Sequence, residues 1–308
     1  MPLTEHDVRS AAAVLEGRIR RTPIFEIGGE ELGVDGRVVM KLEHHQHSGS
    51  FKGRGAMHAL LSSADAGSLG VVAASGGNHG AAVAWAAREL GIEATIFVPT
   101  IAAQAKVARL ESYGARVRQV GSVYSEALVA SSVFQDQTGA LAVHAYDDPL
   151  VVAGAGTVAT EFGEQAGLLD CVYVACGGGG LSGGMAVALG PRTPLVVCET
   201  ARTATFNSAL KAGSPVDVEV GGIAADALGA TRIGEIGFSA LIAAAARSVV
   251  VDDEAVVVAQ ELFWDQYRMP LEPAAATAVA GLLADTQRLR DARVGLVICG
   301  ANISWRIR

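Results

Sequence analysis

Residues 171–189 read CVYVACGGGGLSGGMAVAL: an apolar run, four consecutive glycines, then small and apolar residues at helical spacing. An apolar run bounded by glycine reads as a buried strand, and the run after it as a helix. The same order recurs along the chain. GVVAAS (70–75) is a short strand, and HGAAVAWAAREL (79–90) a helix closed by Gly91. EATIFVP (93–99) is a strand stopped by Pro99, AAQAKVARLESYG (102–114) a helix ending at Gly114, and ARVRQV a strand. PLVVCE (194–199) and VGLVICGAN (294–302) add two more strands. Strands alternating with helices need crossover connections, which predicts parallel sheets of the α/β class. Two such blocks, about 65–145 and 150–308, predict two lobes. No solenoid-type repeat or low-complexity linker separates them.

Composition agrees with buried sheets. Half of the 308 residues are hydrophobic but only 5% are aromatic, so alanine, valine and 37 glycines carry the bulk. A net charge of −8 argues against a nucleic-acid or anionic-membrane surface. Mean hydropathy is high at +0.34, yet no run of about 18 apolar residues is free of charge. SALIAAAARSVVV comes closest, and Arg247 interrupts it. The N-terminus lacks a signal-peptide pattern. Cys171, Cys176, Cys198 and Cys299 show no metal-type pairing. A cytoplasmic protein with reduced thiols is expected.

Four stretches carry candidate chemistry. GGGGLSGG (177–184) joins a strand to a helix, where backbone N–H groups and the positive helix end suit a phosphate. Gly178, Gly180 and Gly183, with Glu199 ending the next strand, also fit a dinucleotide-binding unit, and a plain packing turn is a third reading. ASGGNHG (74–80) offers Ser75, Asn78 and the N–H groups of Gly76 and Gly77 to a carboxylate or ring oxygen, or else merely caps a helix. SGSFKGRGA (48–56) sets Lys52 among small residues. Desolvation there would lower its pKa and free an amine for Schiff-base chemistry, although an isolated lysine is ordinarily a surface residue. CGAN (299–302) ends the last strand with a thiol that either faces a ring nitrogen or is a small buried residue.

Taken together and in order, the four stretches resemble the fold-type II pyridoxal-phosphate enzymes, in particular the serine/threonine dehydratase and serine racemase group. AGAGT (153–157), RIGE (232–235) and LEPAAA (271–276) are similar to further segments of that family. The resemblance leaves little to the dinucleotide reading, which gives Lys52 and Asn78 no role. It implies a two-lobed, tryptophan synthase β-like fold, with 1–64 and 146–308 as the large cofactor-binding domain and 65–145 as a small mobile domain. It implies pyridoxal 5′-phosphate on Lys52 as a Schiff base, with Phe51, Asn78, Gly177, Gly178, Gly179, Gly180, Leu181 and Cys299 holding the cofactor. Ser75, Gly76, Gly77, Asn78 and His79 would hold the substrate carboxylate. Lys52, once released, would be the Cα base.

The implied reaction is β-elimination of a β-hydroxy amino acid, such as L-threonine or L-serine, to a 2-oxo acid and ammonia. The family's racemases carry a serine where this chain has Gly76, which favours elimination. Racemisation and β-replacement are the alternatives, and a non-catalytic cofactor-binding protein is a remote one. Glu199 matches one ligand of the racemase group's cation site, but the acid six positions on is Thr205 here, so a monovalent or divalent cation stays an option without a defined site. Glu272 reads either as a group near the ring nitrogen or as a helix N-terminal acid. His44, His45 and His47 lack matched metal spacing. Tyr146 and Asp147 are expected to edge the substrate pocket. A homodimer is implied, and with the chain ending six residues after Asn302 no added regulatory domain is expected.

Overall fold

A computed structural model describes residues 2–63, 66–285 and 291–303, with the side chains of 66 and 67 excepted. The expected lobe boundary at 64/65 lies outside the described residues. The strands are β1 (Ile24–Gly28), β2 (Arg37–Leu42), β3 (Val71–Ala74), β4 (Ala94–Val98), β5 (Arg116–Gln119), β6 (Leu141–Ala142), β7 (Cys171–Ala175), β8 (Leu195–Thr200), β9 (Arg247–Val251) and β10 (Arg293–Ile298). They form a 6-stranded sheet, order β1-β2-β10-β7-β8-β9, and a 4-stranded sheet, order β5-β4-β3-β6. Every pairing is parallel except β1 with β2. The chain is therefore α/β with helices on the sheet faces, as the alternating pattern predicts. Among the described residues no helix is long and apolar enough to cross a membrane.

The sequence reading missed the short β6 and, toward the edges of the larger sheet, β1, β2 and β9. β9 holds the Arg247 that had looked like an interruption; its guanidinium reaches Asp285 at 2.6 Å, so the charge sits at a strand end and is paired. β2 hides a fully buried Lys41 within its apolar run. That amine pairs with Glu161 and donates to Thr22 O at 2.8 Å and Gln165 Oε1 at 2.7 Å.

Two helices fix the site. Helix Pro149–Ala166 starts on Asp148, whose carboxylate accepts from Leu150 N and Val151 N at 2.8 and 3.0 Å, with proline in its first turn. It crosses helix Gly180–Leu189 backbone to backbone: a Cβ on Gly184 would lie 2.7 Å from Gly156 N, and one on Gly156 would lie 2.6 Å from Gly184 O. Gly184→Val should therefore lower stability by about 3 kcal/mol, seen as a fall of roughly 6 °C or more in the thermal midpoint of the apoprotein. A shift under about 1 °C would refute the close crossing.

Helix Lys52–Leu61 packs on the same long helix in the same way: Gly154 Cβ would lie 2.8 Å from Arg54 O. Behind it Arg54, 1% exposed, donates to the fully buried Glu43 through Nε (2.8 Å) and NH2 (2.7 Å), and to Glu161 through NH1 (3.1 Å). The Arg54–Glu43 and Lys41–Glu161 charges balance inside the fold.

Candidate active site

The stretch before Lys52 is stitched to the end of β10. Phe51 N donates to Cys299 O at 3.0 Å, Ala301 N donates to Gly49 O at 3.1 Å, and Ser50 bridges to Gly300. The turn needs left-handed backbone at Ser48 (φ 62°) and Gly49 (φ 73°). Ser48 is strained there, and Arg109 holds it by donating to Ser48 O at 2.5 Å. This stitching brings Lys52 beside Cys299.

Lys52 Nζ donates to Ala145 O at 2.6 Å and stands 5.1 Å from the Phe51 ring centroid. It forms no ion pair with a carboxylate among the described residues. Burial pushes its pKa down to about 8, against smaller upward pulls from Cys299 and Glu272. Burial, with Glu272 next, holds the Cys299 thiol well above its usual pKa, so it stays neutral.

The amine faces a cavity lined by Phe51, Asn78, Tyr146, Gly177, Gly178, Gly179, Gly180, Leu181, Ser182, Glu272 and Cys299. The glycines form a cradle with no space for side chains. A Cβ on Gly177 would lie 2.8 Å from Leu228 Cα, one on Gly178 would collide with the Tyr146 ring, and Gly179 has φ +85°. The cradle leads into helix Gly180–Leu189, whose first N–H groups have no acceptor within the helix. Ser182 lines this end of the cavity, and Asn78 Oδ1 across it is buried without a hydrogen-bond partner among the described residues. A ligand with an anionic end and a polar ring suits the N–H donors of the cradle and the amide of Asn78. A phosphate fits the cradle and helix end, an aldehyde fits the amine, and a pyridine ring fits between Asn78 and Cys299. The residues present thus fit pyridoxal phosphate.

Ser75, Gly76, Gly77 and His79 lie beside the cavity rather than in its wall. Ser75 Oγ accepts from Gly77 N at 3.2 Å, ordering the turn into helix Asn78–Leu90. The His79 ring is turned away: Nε2 donates to Val143 O at 2.8 Å, and burial, with Lys52 next, lowers its pKa to about 3. Only its backbone N–H is left for a carboxylate. A Cβ on Gly76 would meet nothing closer than Val98 Cγ1 at 3.5 Å. A serine would fit, so the lack of a hydroxyl there is chemical rather than steric.

Tyr146 lines the cavity, and Asp147 anchors its segment by accepting from Ile236 N at 3.1 Å and Glu235 N at 3.2 Å. Glu199 is fully buried and its pKa is pushed up to about 7 by that burial. Its oxygens accept from Phe206 N (2.7 Å) and Asn207 N (2.8 Å), and the Thr205 hydroxyl donates to Gly177 O at 2.5 Å. No cluster of three or more metal-type side chains occurs among the described residues. His47 stacks on Trp85 at 4.6 Å, and burial lowers the His44 pKa to about 4. The Ala145 carbonyl, Ser182 and the Arg109–Asn302 hydrogen bond were missed by the sequence reading. A backbone carbonyl leaves no trace in residue type, whereas Ser182 lay in plain view within GGGGLSGG.

The profile of the family described as Pyridoxal-phosphate dependent enzyme matches residues 15–300. L-threo-3-hydroxyaspartate ammonia-lyase of Pseudomonas sp. is 34% identical over 97% of this chain and 95% of its own length. L-threonine ammonia-lyase of Thermotoga maritima is 32% identical over 98% of this chain and 76% of its own. Among solved structures, the threonine deaminase of T.th. superposes with a TM-score of 0.92 at 30% identity, covering 99% of this chain and 100% of that one. Maize serine racemase superposes with a TM-score of 0.91 at 28% identity, over 99% and 95% of the two chains. With the profile spanning nearly its whole length and the glycine cradle facing a deeply set lysine, the chain belongs to the pyridoxal-phosphate dependent enzyme family.

Proposed function

We propose that the chain is a lyase that dehydrates and deaminates a β-hydroxy amino acid, such as L-threonine or L-serine, to a 2-oxo acid and ammonia. The observation that carries this reading is a single amine, Lys52, facing the cradle with no side chain at Gly76. The ammonia-lyases at 32–34% identity support it.

When bound, pyridoxal phosphate supplies the covalent handle for the substrate amine and the electron sink. Lys52 is the attachment amine, and once free it is the base at Cα. Its depressed pKa keeps a useful neutral fraction near neutrality. The Ala145 carbonyl orients Nζ. The N–H groups opening helix Asn78–Leu90 bind the substrate carboxylate at a positive helix end. Gly177–Leu181 hold the phosphate, Phe51 covers a ring face, and the neutral Cys299 thiol leaves the ring nitrogen without a formal counter-charge. The 65–145 block, on its own sheet, is taken as the mobile lobe that covers the substrate. A cytoplasmic homodimer belongs to the same reading.

The deciding experiment offers L-threonine, L-serine and L-threo-3-hydroxyaspartate, and measures both 2-oxo acid and the chirality of recovered amino acid. Recovery of D-serine with little pyruvate would replace elimination by racemisation. A pH test addresses the amine separately. The rate at which apoprotein captures pyridoxal phosphate should rise about tenfold per pH unit below pH 8 and level off above it, following the neutral fraction. A rate still climbing at the ordinary lysine value of 10.5 would contradict a desolvated Lys52.

A further inference from the structure

Glu272 stands at the head of helix Pro273–Ala284 yet makes no side-chain cap bond. An acid at that place ordinarily serves the N–H groups of its own helix. Here the carboxyl is 3% exposed and turned aside. Asn78 Nδ2 lies 2.9 and 3.0 Å from its two oxygens, and Asn302 N donates to Oε2 at 2.9 Å. Gly300 leaves it space, since a Cβ there would collide with Oε1. The two donors belong to different halves of the molecule: Asn78 follows β3 of the 4-stranded sheet, and Asn302 follows β10 of the 6-stranded sheet. Glu272 is therefore a bridge between the sheets inside the site.

A carboxylate offers only acceptors, so it draws the NH2 end of the Asn78 amide to itself. The amide oxygen is thereby turned to the other side, where it is buried and has no partner among the described residues. A buried acceptor without a donor is costly unless a ligand supplies one. The charged and titratable groups acting on Glu272 or feeling it are Lys52, Cys299, Asp226 and Arg109.

We propose that Glu272 is a positioning residue that acts through Asn78: it sets the orientation of that amide toward the bound cofactor and holds the 75–79 loop against the end of β10. This rests on the proposed function, because the group that meets the oriented amide is taken to be pyridoxal phosphate.

Glu272→Gln keeps the shape and one acceptor for Asn302 but brings an NH2 to face Asn78, so the Asn78 amide must turn over. Expected is a rise of about tenfold in KM for L-threonine with a smaller change in kcat, together with a shifted absorption spectrum of the holoenzyme. In the Asn78→Ala background the same substitution should move neither by more than about twofold, since its target is gone. Glu272→Asp, which keeps the charge but withdraws it, should raise KM in the same way. The proposal is overturned if Glu272→Gln leaves KM and spectrum at wild-type values, if Glu272→Asp leaves KM unchanged, or if Glu272→Gln acts equally strongly with and without Asn78. Should wild-type protein release no 2-oxo acid, the functional reading fails by itself. The spectra of the cofactor-loaded variants then still decide the Asn78–Glu272 coupling.

Discussion

Lys52→Ala is expected to lower 2-oxo acid release by at least about 10⁴-fold, because one substitution removes both a nucleophile and a general base. The same variant should bind pyridoxal phosphate without bonding to it. The expectation is sharp because the chain has four lysines, Lys41, Lys52, Lys106 and Lys211. Lys41 is buried against Glu161, Lys106 is paired with Asp226, and Lys211 is exposed. Of the four, Lys52 alone faces the glycine cradle. Borohydride reduction of the wild-type holoenzyme followed by peptide mapping should place the pyridoxyl group on Lys52 alone. A label on another lysine, or turnover by Lys52→Ala within tenfold of wild type, would refute the assignment. Added methylamine should restore part of the variant's activity if the missing element is an amine rather than the fold.

Arg54→Met is expected to cost about 3–5 kcal/mol of stability, although position 54 touches neither cavity nor cradle. The substitution leaves Glu43 fully buried with its strongest partner gone, and Glu161 with Lys41 as its remaining cation. Burying an unpaired carboxylate is far worse than losing a surface pair. Arg54→Lys should rescue little, since one ammonium cannot reproduce the fork that meets both Glu43 oxygens. Pairing Arg54→Met with Glu43→Gln should recover part of the loss, because the orphaned charge goes with its partner. Denaturant titration of the apoproteins measures all three. A single-variant loss under about 1 kcal/mol would mean that water reaches the cluster and screens it.

The parallel ladders were legible because strands buried on both faces must be apolar throughout, and glycine or proline punctuates their ends. β3, β4 and β7 show that pattern along their length, and β8 and β10 over all but their polar end residues, Glu199, Thr200 and Arg293. The outer strands were harder: β9 is half exposed and opens on an arginine, and β2 conceals a charged residue whose side-chain partners, Glu161 and Gln165, lie more than a hundred positions away. The same limit applied at the site. Local spacing picked out the cradle and the lysine, since each lies within one short stretch. The meaning of Glu272 depends on Asn78, 194 positions distant, and on a backbone N–H at Asn302. Sequence offered two local readings for it, and the contact with Asn78 could not be read from either. Arg54, two residues past Lys52, read as part of a motif; that it is the hub of a buried charge cluster follows only from packing.

The two-sheet layout has a consequence for the rhythm of the proposed cycle. The attachment amine and the phosphate cradle both hang from the 6-stranded sheet, whereas the grip on the substrate's acid end follows β3 of the other sheet. In that proposed cycle, swinging the second sheet away to discharge product would part Asn78 from Glu272 but leave Lys52 and the cradle together on their own half. The seat for the next substrate would then outlast each release of product.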